Sequence, residues 1–137
     1  MHSGAVAKVL WASPCSLVGL LVVALLLPLR ARARIADGTL QATWRDDEAA
    51  CGALARRLPY RAITLGHVIV AVTRGDLQRS LAHELVHVRQ VERWGVFFFP
   101  AYAASSLWQW LRGRRAYWDN WFEVDARRRS SDDSRRR

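Results

Sequence analysis

The chain reads as an α+β protein in which an apolar N-terminal helix precedes a small domain built from a short β-sheet and three helices. Three observations carry this reading. Val9 to Leu29 is a stretch without a single charge, residues 61–73 are dense in β-branched side chains, and apolar residues then recur at helical spacing around His83-Glu84-Leu85-Val86-His87. With 137 residues there is room for one small domain. The expected division is an anchor over 1–34, a metal-binding domain over 35–129 and an Arg/Ser/Asp tail over 130–137, which should be disordered.

The uncharged stretch is long enough to cross a hydrocarbon core of about 30 Å. Its alternative is a cleaved signal sequence, since Ala31-Arg32-Ala33 superficially matches a small-x-small site; the arginines in and around it favour an uncleaved anchor. Arg30, Arg32 and Arg34 follow the stretch and only Lys8 precedes it, which leans toward an N-out, C-in orientation. Next, Asp37-Gly38 between short apolar runs predicts a hairpin turn. Asp46 to Leu58 predicts a short helix closed by Pro59. Arg61 to Thr73 predicts a strand with a fold-back at Gly66-His67.

Asp76 as N-cap, the series Leu77, Leu81, Leu85 and Val88, and Gly95 as the terminating glycine predict a helix of about 18 residues. Pro100 suits the first turn of a further helix and Gly113 its end. That segment, Trp94 to Leu111, is apolar and flanked by Trp and Arg; interfacial anchoring and burial in a core fit it equally, and a second crossing fits less well. The last helix should begin at Asn120, with Glu123 in a capping-box position, and run toward Arg129.

Net charge is +9, from 20 Arg and one Lys against 12 acidic residues. No nucleic-acid motif accompanies this charge, so anionic lipid headgroups are the better-matched partner and nucleic acid is not expected. The two cysteines, Cys15 in the apolar stretch and Cys51 beyond it, show no metal-type spacing and are not expected to pair.

The five residues 83–87 carry the chemistry. On a helix, residues four apart lie one above the other, so His83 and His87 can reach one Zn²⁺ with Glu84 beside them as a general base. A catalytic zinc takes three protein ligands and leaves a position for water, so a third ligand must come from elsewhere. Between His87 and the tail the acidic residues are Glu92, Asp119, Glu123 and Asp125. Glu92 should point away from the site; Glu123 is the best candidate, with Asp119 and Asp125 as alternatives.

This arrangement resembles the gluzincin-type metallopeptidases, which pair a His-Glu-x-x-His helix with a glutamate on a later helix, and especially their small "minigluzincin" and bacterial membrane relatives. The resemblance covers about residues 61–129. It implies a zincin-like domain, with His83, His87 and Glu123 as zinc ligands and Glu84 as the base that deprotonates the bound water for attack on a peptide carbonyl. In one respect the chain departs from the family. Many gluzincins carry an Asp four residues after the glutamate ligand to orient a histidine, and here Arg127 stands there. Support would have to come from Asp119, Asp125 or a backbone carbonyl. His67, Tyr102 and Tyr117 are available as oxyanion donors, and none is assigned.

The expected function is that of a membrane-anchored, zinc-dependent metallopeptidase-like hydrolase acting on a peptide or protein. Two alternatives stand beside it. One is a catalytically inactive zinc-binding membrane protein with a structural or vestigial site, which a fourth ligand such as His67 would mark. The other is a lipid-surface adaptor in which the motif is accidental.

Overall fold

Two tight turns build the sheet. Asp37 and Gly38, at φ +53° and +70°, join β1 (Arg32–Ala36) to β2 (Thr39–Arg45) in an antiparallel hairpin, the backbone that a primed turn demands and that Asp-Gly supplies. The fold-back expected at Gly66-His67 separates β3 (Ala62–Leu65) from β4 (Val68–Thr73), with Gly66 at φ +68°. β4 pairs in parallel with β2, Ala42 opposite Val70, so the mixed sheet runs β1-β2-β4-β3 and leaves β3 at one edge. The structure is a computed structural model that describes residues 3–45 and 60–136. The helix expected over Asp46–Leu58, and Cys51, lie outside the described residues.

β4 runs directly into α2 (Arg74–Trp94), 21 residues long. The expected N-cap at Asp76 moves to Thr73, whose Oγ1 accepts from the Asp76 backbone N–H and donates to Asp76 Oδ2. Asp76 sits instead in the first turn, where its carboxylate meets the helix dipole and the guanidinium groups of Arg61 and Arg79. Leu77, Leu81, Leu85 and Val88 all face Ile69 and Ala71, which fixes α2 on the sheet. Gly95, at φ +57°, ends the helix as expected.

α3 (Phe98–Leu111) carries Pro100 in its first turn and is followed by Gly113 at φ +69°. Its 14 residues span about 21 Å, short of a bilayer core. The segment divides between the two readings given for it: Phe98 is buried, whereas Leu107, Trp108, Trp110 and Leu111 are exposed. Asn120 caps α4 (Trp121–Arg136), its Oδ1 accepting from Phe122 N–H while its Nδ2 donates to Tyr102 O and Ser106 Oγ. One buried side chain thus starts α4 and docks it against α3. α4 continues past the expected end at Arg129, so residues 130–136 are helical, with 131–135 exposed.

The uncharged stretch forms α1 (Ser3–Leu26), and Leu10–Leu29 is long and apolar enough to cross a membrane, with mean hydropathy 2.3. One face of α1 is nevertheless packed into the protein. Ala12 and Cys15 share a core cluster with Val91 of α2, Phe98 of α3 and Phe122 of α4, and Val23 packs on Ala42 and Val68 of the sheet.

Candidate metal centre

Two stiff helices bring the expected ligands together. His83 and His87 lie one turn apart in the middle of α2, and Glu123 projects from the first turn of α4, which Phe122 and Ala126 bury against the core. The capping-box role expected for Glu123 is not taken up. Its carboxylate turns onto the histidines, Oε2 lying 3.1 Å from His83 Nε2 and Oε1 3.2 Å from His87 Nε2, while the two imidazole nitrogens stand 3.0 Å apart.

Among the described residues this is the group of His, Cys, Asp and Glu side chains that could hold a metal ion. The separations fit a small tetrahedral ion. Bonds of 2.0–2.2 Å at tetrahedral angles put ligand atoms about 3.3–3.6 Å apart, and one nitrogen from each imidazole and one Glu123 oxygen lie within 4.8 Å of one another. Two nitrogens and a carboxylate oxygen are also a donor set that zinc accepts.

The histidines are held by partners that the sequence did not reveal. His87 Nδ1 lies 2.8 Å from Gln90 Oε1, and Gln90 Nε2 donates to Phe122 O at 3.1 Å and to Asp125 Oδ2 at 3.0 Å. Because the amide nitrogen is committed to two acceptors, the amide oxygen must face His87. That places a proton on Nδ1 and leaves Nε2 as the nitrogen that faces Glu123 and His83. Asp125 therefore supports the site, as one of the expected alternatives, but through Gln90 and not by touching a histidine. Asp119 is outside the site and accepts from Arg115 N–H. Arg127, four residues after Glu123, donates to Trp118 O, lies over the Trp118 ring at 5.1 Å and approaches Glu123 Oε2 at 3.9 Å.

Charge follows from this geometry. Burial opposes ionisation of Glu123, but hydrogen bonds from His83 and His87 outweigh it and hold the carboxyl well below the usual range. Burial likewise opposes the charge on His87, and the bond and charge of Glu123 win, raising its pKa. Burial first and the Glu123 carboxylate second push the Tyr102 phenol up, so that it stays protonated and donates to Glu123 Oε1 at 2.7 Å. Tyr117 is raised by burial and by the Glu123 charge.

Glu84 is buried beside the ligands, its Oε2 accepting from Thr64 Oγ1 of β3 at 2.7 Å. A cavity of about 270 Å³ opens over these groups, walled by the β3 edge on one side and by Phe98, Phe99 and Tyr102 on the other. Of the three possible oxyanion donors, Tyr102 and Tyr117 line it. His67 lies elsewhere, between Ser16 and Glu92.

Over residues 29–95, just under half of the chain, the sequence is similar to the eCIS core domain. That stretch takes in the sheet and the whole motif helix, and stops short of Tyr102 and Glu123. No curated protein and no solved structure matches the chain. The similarity thus covers the two histidines and Glu84 and leaves the third candidate ligand to be argued from geometry.

Proposed function

We propose that the protein is a zinc-dependent hydrolase of the metallopeptidase type, similar in its site to the gluzincins. The observation that carries the reading is the convergence of His83 Nε2, His87 Nε2 and Glu123 on one point beside the buried Glu84, at the floor of an open cavity. Zinc held there would supply a Lewis acid that polarises a carbonyl and acidifies water. The chain's own part is to hold and move the proton. Glu84, which lines the cavity, takes it from the attacking water and delivers it to the leaving amine, and Thr64 holds one of its carboxylate oxygens. The outer edge of β3, which has no second strand partner among the described residues and sets Ala62, Ile63 and Thr64 on the cavity wall, offers backbone groups on which an extended peptide can lie. The test is paired. Glu84→Gln should retain zinc and lose hydrolysis of a mixed peptide library; full activity in that variant excludes Glu84 as the base.

A second reading is a zinc-binding protein without activity, and the match to the eCIS core domain favours it by pointing to a component of an injection apparatus. A structural zinc would be closed by a fourth side chain. Among the described residues, His67 does not take that place. Zinc binding without hydrolysis in the wild type would select this reading.

A further inference from the structure

α1 is apolar all round, yet its two sides have different surroundings. On one side, the contacts run from Trp11, against Gly95 and Phe97, through Ala12 and Cys15 on Phe98 and Phe122, to Gly19 on Val68 and Val23 on Ala42. Thirteen residues of helix, about 18 Å, are thus built into the domain. In the middle of this contact the Ser16 hydroxyl accepts from His67 N–H at 3.0 Å and meets His67 Nδ1 at 3.3 Å, while His67 Nε2 meets Glu92 at 3.1 Å. On the other side Leu10, Leu17, Val18, Leu21 and Leu25 are each about half exposed or more.

A helix packed in this way cannot cross a bilayer without taking its neighbours along. A crossing would centre the hydrocarbon near Gly19 and would immerse the sheet, whose outer strand β1 has no second strand partner among the described residues and carries Arg32 and Arg34, together with Glu92 and the exposed Arg89 and Arg93 of α2. Charges and open strand edges are what a hydrocarbon core excludes.

We propose that α1 lies in the plane of an anionic membrane surface, its inner face part of the domain's core and its outer face in the lipid. The partner is identified by charge as well as by apolarity. Lys8 lies near one end of the exposed row and Arg30 and Arg32 at the other, all three exposed, and Trp11 and Phe97 pack together at the Lys8 end. Aromatic rings and cations at the margins of an apolar face suit the headgroup layer, and a second copy of the chain would bring like charges together. The inference is independent of what the cavity binds.

The test uses the full chain expressed in bacterial cells. In a background of Cys15→Ala and Cys51→Ser, Ser3→Cys and Ser134→Cys are each labelled with a membrane-impermeant maleimide in intact cells, spheroplasts and lysed vesicles. An in-plane helix predicts a membrane-bound chain in which both positions become reactive at the same step. Reactivity from opposite faces overturns the proposal, and so does recovery of the wild-type chain in the soluble fraction, whether as monomer or oligomer. Flotation supplies the lipid arm. Arg30→Gln with Arg32→Gln should weaken binding to phosphatidylcholine vesicles containing phosphatidylglycerol roughly tenfold and leave binding to pure phosphatidylcholine unchanged. Equal binding of the wild type to both vesicles would contradict the charge complementarity.

Discussion

Two histidine clusters in this protein are chemically alike and differently placed. His67 stands between the Ser16 hydroxyl and the Glu92 carboxylate; His87 stands between the Gln90 amide and the Glu123 carboxylate. Around His67 each ring nitrogen meets one partner, and Gly66 packs directly on Ser16, so that a Cβ there would collide with it. Around His87 a second imidazole and both carboxylate oxygens crowd one point at 3.0–3.2 Å, and a cavity of about 270 Å³ opens above. Neither the residue types nor their hydrogen bonds distinguish a clip from a site. What distinguishes them is whether lone pairs converge on open space.

The comparison is broken most sharply by removing one histidine from each cluster. His83→Ala should abolish zinc binding, read as metal content after dialysis against trace zinc, whereas His67→Ala should retain one zinc per chain and lose stability. Zinc lost in both, or kept in both, would erase the difference between the clusters.

A smaller effect is expected at the base. Relative to wild type, Glu84→Gln should slow hydrolysis by about 10²–10⁴-fold with metal content unchanged, the range for loss of a general base. Gln90→Leu removes the group that fixes the His87 tautomer and should weaken zinc about 10–100-fold, measured by competition with a chelator. If affinity is unchanged, the Asp125–Gln90–His87 chain of contacts has no bearing on the metal.

The smallest effects belong to the supports of the fold. Ser16→Ala should cost about 1 kcal/mol in denaturant unfolding and leave zinc affinity alone, since it removes a hydrogen bond remote from the ligands. Asp76 gives a pH signature. Burial opposes its charge, but bonds from Thr73, Arg61 and Arg79 prevail and lower its pKa below the ordinary 3.8. A carboxyl depressed in the folded state adds stability that is fully present above that ordinary value and is lost as pH falls through the folded one. The stability gap between wild type and Asp76→Asn should therefore be widest near neutrality and close below about pH 4.

Much of the site could be read from the sequence because it is local. His83, Glu84 and His87 fall within two turns of one helix, Asp37-Gly38 and Gly66 mark their own turns, and Asn120 marks the start of the helix that carries Glu123. Glu123 itself emerged by elimination among four carboxylates, since spacing along the chain does not fix which helix faces which. Gln90 was missed although it lies three residues beyond His87, on the same helical face; an amide there is visible, but its task depends on Asp125, 35 residues away. Thr64 was missed for the same reason. The parallel pairing of β2 with β4 has no local signal. The docking of α1 had one that uniform apolarity concealed: Ala12, Cys15, Gly19 and Val23, at spacings of three and four, trace the face that packs.

Zinc K-edge absorption on the wild-type chain loaded with one equivalent of zinc tests the central claim most directly. The account predicts four light donors at about 2.0–2.2 Å, two of them with the multiple-scattering signature of imidazole, and loss of one oxygen shell contribution in Glu123→Ala. A spectrum with one imidazole or none, or one that Glu123→Ala leaves unchanged, would show that these three side chains do not share a metal.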